Sequence, residues 1–206
     1  MKRYQTYIFD FDGTLVDTEA SLFPVFQRGF QALGREVTPE EVGTYMHISL
    51  RQTIELTKIP EDKAQLFVDS IVEALDAEES IALIQLFEDT LPVIRALKES
   101  GAKIAVASNN VSGHIHLVLE RFGIEDLFDT CVGSNDVEHT KPAPDLLWKV
   151  CQNLGTPREN AIYVGDSLQD YATAEAGRID GVLIDRRHEH EDFPGKRIFS
   201  LRELLS

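Results

Sequence analysis

Two aspartates, Asp10 and Asp12, interrupt an apolar stretch that reads Tyr7-Ile8-Phe9-Asp10-Phe11-Asp12-Gly13-Thr14-Leu15. In extended chain, residues two apart point the same way, so both carboxylates face one side. Gly13 then lets the backbone turn sharply. Two like charges at the end of a buried strand are costly unless something positive lies between them. A divalent metal, a phosphoryl group with its metal, or a shared proton would each serve. Structure alone is a poor reason to bury carboxylates, so the pair reads as chemistry.

Polar groups also close two later apolar runs. Lys103–Ala107 leads into Ser108-Asn109-Asn110, and Ala161–Gly165 leads into Asp166, with Asp170 one helical turn beyond. Between them lies Thr140-Lys141-Pro142-Ala143-Pro144-Asp145, a loop that two prolines stiffen around Lys141. Taken singly, Ser108 and Asp166 read as helix N-caps, Lys141 as a surface lysine and Asp170 as a solvated helix residue. Taken together, three distant segments deliver polar groups to the ends of strands, and in open α/β sheets that edge binds ligands.

The elements that would carry these groups can be read from periodicity. Residues 4–10 predict the first strand. Leu22, Phe26, Phe30 and Leu33 recur at helical spacing, Thr38-Pro39-Glu40-Glu41 has the form of a capping box, and Ala64 to Leu75 repeats the helical pattern. Residues 17 to about 88 are therefore expected to be helical, without a clear strand. Beyond them helices alternate with apolar strands at 103–107, 130–133, 161–165 and 181–184, with Thr156-Pro157-Arg158-Glu159 as a further capping box and a short helix near Leu201. This predicts a Rossmann-like parallel α/β core, residues 1–16 and 88–206, with an inserted all-helical domain at 17–87.

Composition narrows the partners. The 206 residues carry a net charge of −15, which disfavours nucleic acid and anionic membranes. Between Thr38 and Asp89, 12 acidic residues face three basic ones, which reads as solvated helix faces. No stretch approaches the ~18 apolar residues of a membrane span. Asp10 and Asp12 break the apolar run behind Lys2 and Arg3, so an export signal is not expected and a cytoplasmic location is. Cys131 and Cys151 read as reduced thiols. His114 with His116, and His188 with His190, resemble metal pairs only superficially and are expected to be structural or exposed, and Trp148 reads as packing.

In order and in context, the four polar segments resemble motifs one to four of the haloacid dehalogenase-like hydrolases, and the likeness covers nearly the whole chain. The branch it resembles holds phosphoglycolate phosphatases and β-phosphoglucomutases. The resemblance implies a Mg²⁺-dependent phosphatase of small phosphorylated metabolites, with monomer as the default. Asp10 would be the nucleophile, forming an aspartyl-phosphate, and Asp12 the general acid and base. Ser108, Asn109 and Lys141 would bind the phosphoryl group. Mg²⁺ would lie between Asp10, the main-chain carbonyl of Asp12 and Asp166, with Asp170 completing or orienting the shell. The helical insert would act as a cap, with Thr44, Tyr45, His47 and Arg51 as candidates for its substrate-facing surface.

Single residues separate the branches. Dehalogenases of the family lack the second aspartate, which is present here as Asp12. Phosphonate-cleaving members use a cap lysine, but Lys58 and Lys63 have no supporting motif. The mutases carry a histidine where Leu22 stands, and a Gly-x-Ser-Arg pattern where this chain has His47-Ile48-Ser49-Leu50 followed by Arg51. Glu88-Asp89 replace the family's usual Pro-Gly at the return into the core. A sugar phosphomutase and a non-catalytic phosphoryl-binding or signalling protein stand as the alternatives. Receiver domains share the acidic, hydroxyl and lysine groups but lack the long helical insert.

Overall fold

The computed structural model describes residues 3–45 and 48–206. The chain divides into two compact units, Met1–Val16 with Leu86–Ser206, and Asp17–Gln85.

The first unit is built on a six-stranded parallel sheet. Its strands are β1 (Thr6–Phe9), β4 (Lys103–Ala107), β5 (Thr130–Val132), β6 (Ala161–Gly165), β7 (Asp180–Ile184) and β8 (Arg197–Ile198), in the order β5-β4-β1-β6-β7-β8. The strand order thus reverses beside β1, the position at which open α/β sheets form their crevice. Ile8 lies beside Ala105 and Tyr163, and Phe9 beside Val106 and Val164. Ile8, Ala105, Ala107 and Tyr163 join Leu146, Leu147 and Val150 of α8 (Asp145–Leu154) in one apolar cluster. Alternation sends Phe9, Val106 and Val164 to the opposite face, and they too are fully buried. Both faces are covered, which is why these strands read as continuous apolar runs rather than alternating ones. Around the sheet lie α6 (Thr90–Glu99), α7 (Ser112–Arg121) and α9 (Leu168–Gly177).

The second unit is helical. It holds α1 (Glu19–Ala32), α2 (Pro39–Tyr45), α3 (Leu50–Thr57), α4 (Glu61–Leu75) and α5 (Glu78–Leu83). Phe26, Phe30, Val42, Phe67 and Ile71 form its core, with the Phe30 and Phe67 rings 5.0 Å apart. Gly29 allows α1 and α4 to approach closely, since a Cβ there would run into Ile71 and Phe67. The Thr38–Glu41 capping box is present, with Glu41 N–H donating to Thr38 Oγ1 and Thr38 N–H to Glu41 Oε2.

Several local expectations are corrected. Short strands β2 (Val16–Asp17) and β3 (Gln85–Leu86) stand at the two ends of the helical unit, and β8 was not foreseen. Each is two residues long, too short to carry a period. Thr156 does not cap a helix; its hydroxyl is buried against that of Thr6 at 2.8 Å. Among the described residues, no helix is long and apolar enough to cross a membrane.

Candidate active site

Asp10 directly follows β1, and its N–H donates to Val164 O at 2.8 Å, extending the ladder to β6. The chain then turns tightly. Leu15 N–H returns to Phe11 O and Gly13 N–H to Val16 O. Gly13 has a φ of +75°, and a Cβ there would collide with the Asp166 carboxylate. Glycine is thus required twice over, by conformation and by the approach of β6's terminal aspartate. Thr14 Oγ1 donates to Asp166 Oδ1 at 3.2 Å, tying the first and fourth motifs together.

The start of α9 shows which residue caps it. The helix is capped by Ser167, whose Oγ accepts the Asp170 N–H while Asp170 returns to the Ser167 N–H. Asp166 is therefore not spent as a cap. Its carboxyl is pushed well above the usual carboxylate range, first by burial and then by the nearby charges of Asp170 and Asp10.

Lys141 is the positive counterpart. It is almost fully buried, and its Nζ lies 2.6 Å from Asp170 Oδ1 and 2.9 Å from Asp10 Oδ1. The contact with Asp170 is a hydrogen bond. The contact with Asp10 is an ion pair by distance, without the alignment of a hydrogen bond. Burial alone would lower the lysine's pKa, but the two carboxylates outweigh it and the net displacement is upward, so the ammonium stays charged. Asp170 is saturated. Oδ1 faces Lys141 and the Tyr163 hydroxyl, and Oδ2 accepts from the Ser167 N–H and Oγ. Burial pushes its carboxyl up, the Lys141 charge and the hydrogen bonds from Lys141 and Ser167 together more than reverse that, and the result lies below the ordinary value.

Asp10 is left in the opposite condition. Burial raises its carboxyl to about 7, with Lys141 pulling it down and Asp170 and Asp12 pushing it up. Asp12 Oδ2 accepts from Asn110 Nδ2 at 3.2 Å, while its buried Oδ1 has no hydrogen-bond partner among the described residues. One oxygen from each of Asp10, Asp166 and Asp170 lies within 4.8 Å of the others. Hard carboxylate oxygens crowded at this spacing, with repulsion outstanding, could hold a divalent metal ion. Asp12's side chain is not part of that trio.

The other motif residues divide. Ser108 is buried and its Oγ accepts the Asn110 N–H at 3.1 Å, which leaves its own proton to donate. Asn109 ties the Lys141 loop to the start of α9, its Oδ1 accepting the Lys141 N–H and its Nδ2 donating to Gln169. Sequence reading missed Tyr163, whose hydroxyl lies 2.9 Å from both Asp170 Oδ1 and Ala107 O. A tyrosine inside an otherwise apolar strand was the available signal, since a buried phenol needs a partner. It also missed Asn110, although that residue stands in the quoted second motif.

In the helical unit, Arg51 is exposed on α3 and paired with Glu55 at 3.5 Å. Thr44 is exposed and its hydroxyl bonds to Glu41 O. Tyr45 is buried against Phe26 and Phe30, so its ring serves that unit's own core instead of a binding surface. His47 lies outside the described residues. His116 pairs with Glu125 at 2.7 Å, and His188 stacks on Phe199, both away from any metal-ligand geometry.

Comparison with known proteins gives a consistent picture. Residues 7–184 match the family model described as haloacid dehalogenase-like hydrolase. Pyrophosphatase PpaX of Bacillus cereus is 28% identical over 82% of this chain and 77% of its own length. A Bacteroides fragilis protein described as a haloacid dehalogenase-like hydrolase superposes with a TM-score of 0.87 at 28% identity, over 98% of this chain and 100% of that one. A Lactobacillus plantarum protein described as a phosphoglycolate phosphatase shares the fold, with a TM-score of 0.86 at 18% identity over 99% of each chain.

Proposed function

Because the chain belongs to the haloacid dehalogenase-like hydrolases, we propose that it is a Mg²⁺-dependent phosphatase of small phosphomonoesters that works through an aspartyl-phosphate on Asp10. The observation that carries this reading is the buried pairing of Asp10 with Lys141 beside an Asp12 oxygen that no group among the described residues satisfies.

Asp10 and Asp166 would hold Mg²⁺ together with the Asp12 main-chain carbonyl, while Asp170, saturated by four donors, positions Lys141. Bound there, Mg²⁺ would supply positive charge to offset that of the phosphoryl group. Asp10 attacks phosphorus, and its carboxylate becomes the acyl phosphate. Asp12 gives its proton to the departing alkoxide oxygen, then takes one from the water that cleaves the acyl phosphate. That second step restores both groups and releases inorganic phosphate. Lys141 and the Ser108 hydroxyl neutralise and orient the phosphoryl oxygens in the transition state. The helical unit, residues 17–87, takes the substrate-selecting part that the family resemblance gives it.

Two finer readings concern substrate. The naming of the PpaX relatives favours inorganic pyrophosphate as a candidate beside phosphoglycolate and sugar phosphates. The mutase alternative loses support, because Leu22, at the position of the mutases' histidine, is buried in the apolar core of the helical unit. The test is phosphate release from a panel of phosphomonoesters and pyrophosphate, with and without Mg²⁺, for wild type and Asp10→Asn. Mg²⁺-dependent release that Asp10→Asn abolishes supports the reading. Equal release from Asp10→Asn overturns the nucleophile, and consumption of β-glucose 1-phosphate without phosphate release restores the mutase.

A further inference from the structure

Arg186 follows β7 and belongs to none of the four motifs. Its Nη1 and Nη2 donate to the two carboxylate oxygens of Asp89 at 3.1 and 2.9 Å. Nη2 also donates to the main-chain carbonyl of Thr14 at 2.8 Å. Its Cζ sits 3.9 Å from the centre of the Phe87 ring. Asp89 is itself buried, and its Oδ2 accepts from Ser200 Oγ and from the Leu201 N–H at 2.7 and 2.8 Å. The guanidinium is thus fixed by a carboxylate that α6 and the C-terminal turn hold in place.

Thr14 connects this brace to the reacting groups. Arg186 holds its carbonyl, and its hydroxyl donates to Asp166. Only Gly13 separates it from Asp12, and glycine offers no side chain to stiffen the turn. The grip on Thr14 O supplies that stiffness from outside. A planar fork that serves Asp89 and Thr14 together is a task for arginine; a lysine is a single point donor. The sequence carries a matching signal, because Asp89 is one of the two residues that replace the family's Pro-Gly.

The geometry points to Arg186 as a positioning residue for the reaction. Braced by Asp89, it fixes the Asp12–Thr14 turn and with it the acid/base carboxylate, an assignment that rests on the phosphatase reading above. Its loss should lower turnover more than it weakens substrate binding, because the turn is needed when the proton moves.

The test uses Arg186→Met, Arg186→Lys and the double variant Arg186→Met/Asp89→Asn in the full chain. Asp89→Asn keeps an oxygen for Ser200 and Leu201 while removing the charge that Arg186→Met leaves buried and unpaired. Three quantities are read: melting temperature, kcat and KM for Mg²⁺-dependent phosphate release, and amide hydrogen exchange of the segment 11–17. The double variant should regain most of the melting temperature that Arg186→Met loses. Its kcat should stay about tenfold or more below wild type with KM changed less than about twofold, and segment 11–17 should exchange about tenfold faster. Arg186→Lys should fall between. If the double variant regains wild-type kcat and exchange along with its stability, the pair is only a structural brace and the assignment is overturned. If wild type releases no phosphate at all, the phosphatase reading fails separately. Exchange then decides alone: faster exchange at 11–17 keeps Arg186 as the holder of the turn, and unchanged exchange removes it.

Discussion

Two buried charge clusters of the α/β unit, one around Arg186 and one around Lys141, are built to opposite specifications. In Arg186–Asp89 one cation meets one carboxylate, both carboxylate oxygens are used, and the acid is held below its usual range. Burial pushes the Asp89 carboxyl up, and hydrogen bonds from Arg186, Ser200 and the Leu201 N–H together with the Arg186 charge more than reverse that. Around Lys141, Asp10 and Asp170 share a single ammonium, and the charges of Asp12 and Asp166 bear on Asp10 beside it. One of the four, Asp170, is satisfied in full and depressed; Asp10 and Asp166 are displaced upward, and Asp12 keeps a buried oxygen without a partner. A finished pair holds a fold together. An unfinished one retains attraction for a ligand that completes it, here a cation and a phosphoryl group.

The largest effect should come from removing the nucleophile. Asp10→Asn is expected to reduce phosphate release by about 10³-fold or more, which corresponds to roughly 4 kcal/mol of transition-state stabilisation. The same change relieves repulsion among the carboxylates, so the melting temperature should hold or rise. A marked fall in melting temperature would break the comparison, because it would mean that Asp10 stabilises the fold as Asp89 does.

Lys141→Met probes the same cluster from the other side. It leaves Asp10 and Asp170 buried without their cation, and removing one partner of such a pair costs about 3–5 kcal/mol. Urea unfolding at neutral pH measures it. A cost below about 1 kcal/mol would show that the carboxylates take up protons freely and that little charge in the site is unmet.

The comparison also explains what could be read from sequence. Asp10, Asp12, Ser108, Lys141 and Asp166 stood out because each is a polar residue at the end of an apolar run or in a proline-stiffened loop, and Asp170 because it stands one helical turn beyond Asp166; the sheet gathers most of those places at one edge. The strands themselves were visible because both faces are buried. Arg186 was not visible: it lies in a charged stretch, Arg186-Arg187-His188-Glu189, where nothing local distinguishes one arginine from the next. Its meaning depends on Thr14 and Asp89, distant in sequence, and only packing reports that. Tyr163 sat inside a recognised strand and was counted as core, since periodicity sees the ring and not the hydroxyl. Tyr45 erred in the other direction, because its neighbours suggested a surface and its ring found Phe26 and Phe30.

Metal binding should sharpen the contrast without recourse to activity. A ligand that binds only the folded state at 100 times its Kd adds about 2.7 kcal/mol. Saturating Mg²⁺ should raise the melting temperature of wild type and of Arg186→Met/Asp89→Asn alike, and should raise that of Asp166→Asn much less. An equal response from Asp166→Asn would place the cation elsewhere.

The smallest effect concerns acid. Asp89 is depressed in the folded state, so its contribution is fully present above the unfolded carboxyl value, near 3.9, and is lost as pH falls through the lower folded one. Hydrogen bonds to a charged group are worth about 1.5–3 kcal/mol, and part of that should disappear on acidification. Stability measured from pH 6 down to pH 2 should therefore fall less steeply in Arg186→Met/Asp89→Asn than in wild type, with the difference confined to the region below about pH 4. A difference that opened at higher pH instead would mean that the titrating group lies in the Lys141 cluster, and that the two ion pairs are coupled through Thr14 rather than independent.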